Sequence, residues 1–123
     1  MIHPKLKSID STAFDLSTYV PPSENFSLCL DLSIGPVNSD GADLFYVTVC
    51  SPQYVEQLVA QEGIATMRGY LVTDGFQVTV IRARIEKLLS AVSGETWAEV
   101  ATKLSRYFKW EFDDYVETIH SED

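Results

Sequence analysis

Residues 26–34 read FSLCLDLSI, and the alternation of this stretch decides the fold. Every second residue from Phe26 to Ile34 is apolar, with a small or polar residue in between. This period of two predicts a strand with one buried face. Residues 43–50 (DLFYVTVC), after the turn-rich segment 35–41, predict a second strand. We expect the two to pair as a long hairpin, with the second strand central and covered on both faces because its apolar run is nearly continuous.

A helix is predicted directly after this hairpin. Ser51 can cap its first N–H groups, and Pro52 suits the first helical position. Tyr54, Val55, Leu58 and Val59 form its predicted apolar stripe. Gly63 marks its end.

Two more helices and two short strands follow. Residues 77–93 place Ile81, Ile85 and Leu89 on one helical face, although the β-branched start could also extend a strand. Thr96 begins a capping box and a helix whose stripe runs from a core Trp97 to Phe108. Short strands are predicted at 70–73 and 109–112. The predicted fold is α+β, with one mostly antiparallel sheet and about three helices packed on one side.

The length of 123 residues predicts a single domain, residues 1–123. Residues 1–20 are interpreted as a possible irregular first strand or arm. Residues 116–123 belong to an acidic tail. Cys29 and Cys50 lie in strand-like apolar runs, which predicts reduced, buried thiols.

The charge balance narrows the class of partner. There are 18 acidic and 9 basic residues, a formal charge of −9. Such a chain repels phosphate backbones and anionic membranes, so neither is an expected partner. The negative charge is compatible with a basic protein partner, with binding of a cation, or with a role in solubility alone. No membrane span or signal peptide is visible, and we expect the cytoplasm.

The sequence contains no recognisable catalytic or metal-binding motif. The two histidines, His3 and His120, lie near the termini, and no Cys or His pair has zinc spacing. We therefore predict no enzyme activity, no catalytic residue, no metal and no cofactor. The weak enzymatic alternative is a carboxylate pair, Glu111 with Asp113 or Asp114.

Aromatic and acidic residues alternate near the C-terminus. Residues 110–115 read WEFDDY, a pattern that suits an interface with a basic protein, although a short core strand with a solvated face fits equally well. The candidate partner-binding residues are Asp40, Asp43, Trp110, Glu111, Asp113, Asp114 and Tyr115.

Two blocks of sequence carry a family resemblance. Residues 41–52 (GADLFYVTVCSP), and then 97–100 (WAEV) with 103–115 (KLSRYFKWEFDDY), resemble the immunity protein 8 family. The resemblance covers roughly residues 26–115. It implies a non-catalytic bacterial immunity protein of a polymorphic toxin system, which binds and neutralises a cognate toxin.

The resemblance and the charge together define the functional hypothesis. We expect a toxin inhibitor that covers the basic active-site surface of its toxin, with a nuclease as the expected type. The alternative is an acidic adaptor or nucleic-acid mimic that binds basic partners. A monomer and a homodimer both remain open.

Overall fold

Five strands and three helices make up residues 1–112, the part of the chain that the computed structural model describes. The strands are β1 (Pro4–Asp10), β2 (Ser27–Pro36), β3 (Asp43–Cys50), β4 (Tyr70–Val72) and β5 (Lys109–Trp110). The helices are α1 (Pro52–Glu62), α2 (Val78–Ser90) and α3 (Trp97–Leu104). The predicted α+β class is confirmed.

The strands form one open, mostly antiparallel sheet in the order β1-β2-β3-β4, and β5 also pairs with β3. The predicted hairpin is confirmed, with Leu30 opposite Val47 and Leu32 opposite Phe45. β1 pairs with β2 through a register shift between Leu6 and Ser8. Only β4 runs parallel to its neighbour, because α1 connects it to β3 as a crossover.

The hydrophobic core lies between one face of the sheet and the helices α2 and α3. The alternating apolar residues of β2 and β3 share this face, and the inward residues of both helices join them in one cluster. α2 begins at Val78 as a helix despite its β-branched start, because Ile81, Ile85 and Leu89 then lie buried on one side. Packing therefore overrides the strand propensity of these first residues.

The predicted stripe of α1 is not buried. None of its residues is buried, and Val59 remains 43% exposed. The reason is its position. Leu58 and Glu62 line a cleft with Tyr70 and Lys109, which strand register places on the sheet face opposite the core, so α1 does not join the core cluster. Its ends agree with the prediction, since Ser51 caps it and Gly63 follows in a left-handed conformation.

The sheet face opposite the core carries polar and partly exposed side chains, and we call it the open face. Strand register assigns to it Ser8, Asp10, Cys29, Asp31, Ser33, Leu44, Tyr46, Thr48, Tyr70 and Lys109. None of them is buried by residues 1–112. The prediction that β3 is covered on both faces is therefore wrong for Leu44, Tyr46 and Thr48, although Cys50 at the end of the strand, on the same face by register, is buried. Cys29 is an exposed free thiol rather than the predicted buried one, whereas Cys50 is buried.

The third helix is shorter than its predicted apolar stripe. α3 ends at Leu104, and Phe108 lies in the turn that follows, fully buried. Thr96 caps α3 by accepting the N–H of Glu99 at 3.1 Å. The Glu99 carboxylate accepts the N–H of Glu95 at 3.3 Å, one residue before the expected partner in a capping box.

We expect Ser51→Ala to destabilise the protein by about 1–2 kcal/mol. The Ser51 hydroxyl oxygen accepts the N–H groups of Phe26 at 3.0 Å and Tyr54 at 3.3 Å, and the residue is 1% exposed. Its loss leaves both donors without this partner where water has little access. Urea unfolding measures this loss, and Thr96→Ala, which removes the cap of α3 at an exposed residue, is the control. An equal or larger loss for Thr96→Ala would contradict it.

Candidate functional site

One carboxylate oxygen joins three distant parts of the chain at the edge of the core. Oδ2 of Asp43 accepts a hydrogen bond from Nε1 of Trp97 at 2.8 Å and from Nε1 of Trp110 at 3.1 Å. All three side chains are partly buried. An indole N–H near a core needs an acceptor, and a charged acceptor makes the stronger bond. Asp43 therefore ties β3 to the start of α3 and to β5.

Trp110 bridges the core and the surface. Its ring stacks against that of Phe45 with centroids 6.3 Å apart, because the two residues are paired across β3 and β5. The partly exposed ring of Phe112 forms a T-shaped pair with the ring of Trp110, with centroids 5.2 Å apart. Trp110 is half-buried and packs against the core cluster. It thus has a structural role at the edge of the core.

Glu111 extends the pairing of β5 with β3. Its side chain accepts the N–H of Leu44 at 3.1 Å, and its own N–H donates to the Leu44 carbonyl at 3.0 Å. The Glu111 carboxylate is thereby held at the backbone of Leu44 in β3.

The loop between β2 and β3 presents Asp40 beside this cluster. The Lys7 ammonium donates to the carbonyl oxygens of Ser39 and Gly41, on either side of Asp40 in sequence. Asp40 itself is exposed. The loop is thus anchored at its backbone while the carboxylate faces solvent.

The structure brings together part of the predicted site. Asp43, Trp110 and Glu111 meet at one end of the sheet, and Asp40 lies in the adjoining loop. Asp113, Asp114 and Tyr115 lie outside the described residues. Trp97 was predicted as core alone and is the residue that the site prediction missed. Its indole N–H, which requires an acceptor, was the available signal.

Charge is distributed unevenly along the chain. Residues 8–67 contain eight acidic residues and no lysine or arginine, so β2, β3 and α1 carry only negative side-chain charge. Arg82, Arg84 and Lys87 instead lie together on α2. Within residues 1–112, no group of three His, Cys, Asp or Glu side chains is arranged to hold a metal ion. No described helix is both long and apolar enough to cross a membrane.

Comparison with known families identifies the chain. A sequence model described as immunity protein 8 matches residues 4–115. The chain belongs to the immunity protein 8 family. The match starts within β1, earlier than the resemblance from residue 26. Comparisons with curated proteins and with solved structures give no significant match.

The two blocks of sequence that resemble the immunity protein 8 family contact each other in this structure. Residues 41–52 supply Asp43, and residues 97–115 supply Trp97 and Trp110, so both blocks meet in a single cluster of hydrogen bonds. The hydrogen bonds between these three side chains give them a structural role in holding the two blocks together.

Proposed function

We propose that this immunity protein binds and neutralises a cognate toxin of a polymorphic toxin system in the cytoplasm. A nuclease is the expected type of toxin, and the protein acts by covering its basic active-site surface. The observation that carries this proposal is the uniformly negative charge of β2, β3 and α1 in a chain of this family. Enzymes that act on nucleic acid bind phosphate through basic residues, and an acidic surface complements them.

Charge and anchoring have separate roles in such a complex. Long-range attraction raises the rate of association, which favours rapid capture of the toxin. A nanomolar complex needs about −12 kcal/mol. Exposed charges alone contribute too little, so a few aromatic anchors are required. Trp110, with the exposed Phe112 against it, is suited to this role.

Affinity capture from the native cell tests the proposal. The tagged full-length protein is washed at low and then at high salt, and the retained proteins are identified by mass spectrometry. We expect one stoichiometric partner that survives high salt and kills cells when expressed alone. A set of many basic proteins that dissociates at high salt would instead indicate the acidic adaptor or nucleic-acid mimic.

Charge reversal tests the C-terminal acidic residues of the predicted site. We expect Asp113→Lys with Asp114→Lys to lower the association rate with the captured toxin about tenfold at low salt. The control is Asp74→Lys with Glu86→Lys, which changes the net charge equally at two exposed positions near or on α2. Stopped-flow mixing gives the rates. Equal rates for both double variants would remove these residues from the binding surface.

A further inference from the structure

A row of four side chains crosses the open face from one edge of the sheet to the other. The register places Asp10 of β1 opposite Asp31 of β2, and Asp31 opposite Tyr46 of β3. Lys109 of β5 lies on the other side of Tyr46. All four side chains are at least partly exposed. The row is therefore a surface that a partner can contact.

Asp10 and Asp31 are like charges in directly paired positions. Like charges opposite each other destabilise a sheet. Neither carboxylate forms an ion pair with any side chain of residues 1–112. The pair thus lowers the stability of the free protein, and a cationic group placed between the two carboxylates would relieve their repulsion.

Tyr46 stands beside this pair at the centre of the open face. Its hydroxyl makes no hydrogen bond with the described part of the chain. Asp31 lies opposite Tyr46 on one side, and the Glu111 carboxylate is held at Leu44, two residues along the same strand. Burial, and then the negative charges of Glu111 and Asp31, raise the pKa of Tyr46. A tyrosine beside a pair of carboxylates provides a rigid anchor and acceptors for arginine at the same place.

A cleft at the β4 edge of the sheet carries the opposite charge. This cleft between β4 and α2 exposes Val72 and Val80, which are 51% and 55% accessible. Arg84 and Lys87 also line it, so a basic protein would be repelled there. Complementarity of charge therefore favours the part of the open face with Asp10 and Asp31, away from Lys109, over this cleft as the site for a basic partner.

We propose that the open face is the main docking surface for the toxin, with Tyr46 as its anchor and Asp10 and Asp31 as acceptors for arginine or lysine of the toxin. This inference rests on the proposed function and adds the surface that performs it. It extends the predicted site from Glu111 across β3 to β1, on positions that the sequence-based site did not include.

Asp31→Lys separates binding from folding. The substitution replaces a repulsive pair with an attractive one, so the thermal midpoint of the free protein should stay level or rise. Binding to the captured toxin should weaken at least about tenfold, through faster dissociation. Tyr46→Ala should weaken binding similarly, and Tyr46→Phe should do so less. The control is Glu86→Lys, the same charge change at an exposed position of α2.

Calorimetric titration of the four variants against the toxin captured by the wild-type protein gives the outcomes. Weaker toxin binding that is confined to Asp31→Lys and the Tyr46 variants supports the open face as the docking surface. Wild-type affinity in all four, or an equal loss in Glu86→Lys, overturns the open face but leaves the immunity function standing. If the wild-type protein captures no toxic partner, the proposed function fails and this inference fails with it.

Discussion

Gly35→Ala is expected to destabilise the protein by about 3 kcal/mol or more, the largest effect predicted for a single methyl group. A Cβ atom at Gly35 would lie 1.9 Å from the carbonyl oxygen of Gly41 and 2.9 Å from its carbonyl carbon. Both are backbone atoms of the neighbouring loop, so no side-chain rotation can relieve the overlap. The end of β2 and the loop before β3 would have to separate.

The matched control is the same substitution at the other side of this contact. A Cβ atom at Gly41 would meet only the Ser39 hydroxyl oxygen, at an ordinary 3.5 Å. We expect Gly41→Ala to change the free energy of unfolding by less than about 0.5 kcal/mol. Urea unfolding of both variants measures the difference. Similar stabilities would show that β2 and the loop do not approach each other this closely.

Asp43→Ala is expected to cost about 2–4 kcal/mol. It removes the one oxygen that accepts both indole N–H groups, and bonds to a charged acceptor are worth about 1.5–3 kcal/mol each before partial exposure is considered. Both indole N–H groups would then lose this acceptor at the edge of the core. Tryptophan fluorescence should change together with stability, because both tryptophans of the chain contact this carboxylate.

Asp40→Ala is the control for this second prediction. Asp40 is an exposed aspartate in the adjoining loop, three residues before Asp43. Its removal should change the free energy of unfolding by less than about 0.5 kcal/mol. Guanidinium unfolding followed by fluorescence compares the two variants. If Asp43→Ala proved as stable as Asp40→Ala, the carboxylate would not join the three segments.

Local sequence patterns were sufficient to predict most of the elements. The alternation in residues 26–34 predicted β2, because a period of two has a single structural interpretation when one face is apolar. Ser51 and Gly63 predicted the ends of α1, because capping is decided by a few neighbouring residues. Local rules did not show how much of each helix would be covered, and the stripe of α1 remained partly exposed for that reason.

The candidate site was less accessible to prediction. Asp43, Trp97 and Trp110 were each visible in the sequence, yet their hydrogen bonds join residues far apart in the chain. The row of Asp10, Asp31 and Tyr46 likewise depends on strand register, including the irregular pairing of β1 with β2. A shift of one residue would place these side chains on the other face.

Co-expression tests the immunity function most directly. The captured partner is expressed under an inducible promoter in a sensitive bacterial strain, with the wild-type protein, with Asp31→Lys, or with an empty vector, and growth is measured after induction. We predict that the empty vector leads to death, that the wild-type protein restores growth, and that Asp31→Lys restores less. Death in the presence of abundant, folded wild-type protein, or normal growth with the empty vector, would contradict the immunity function.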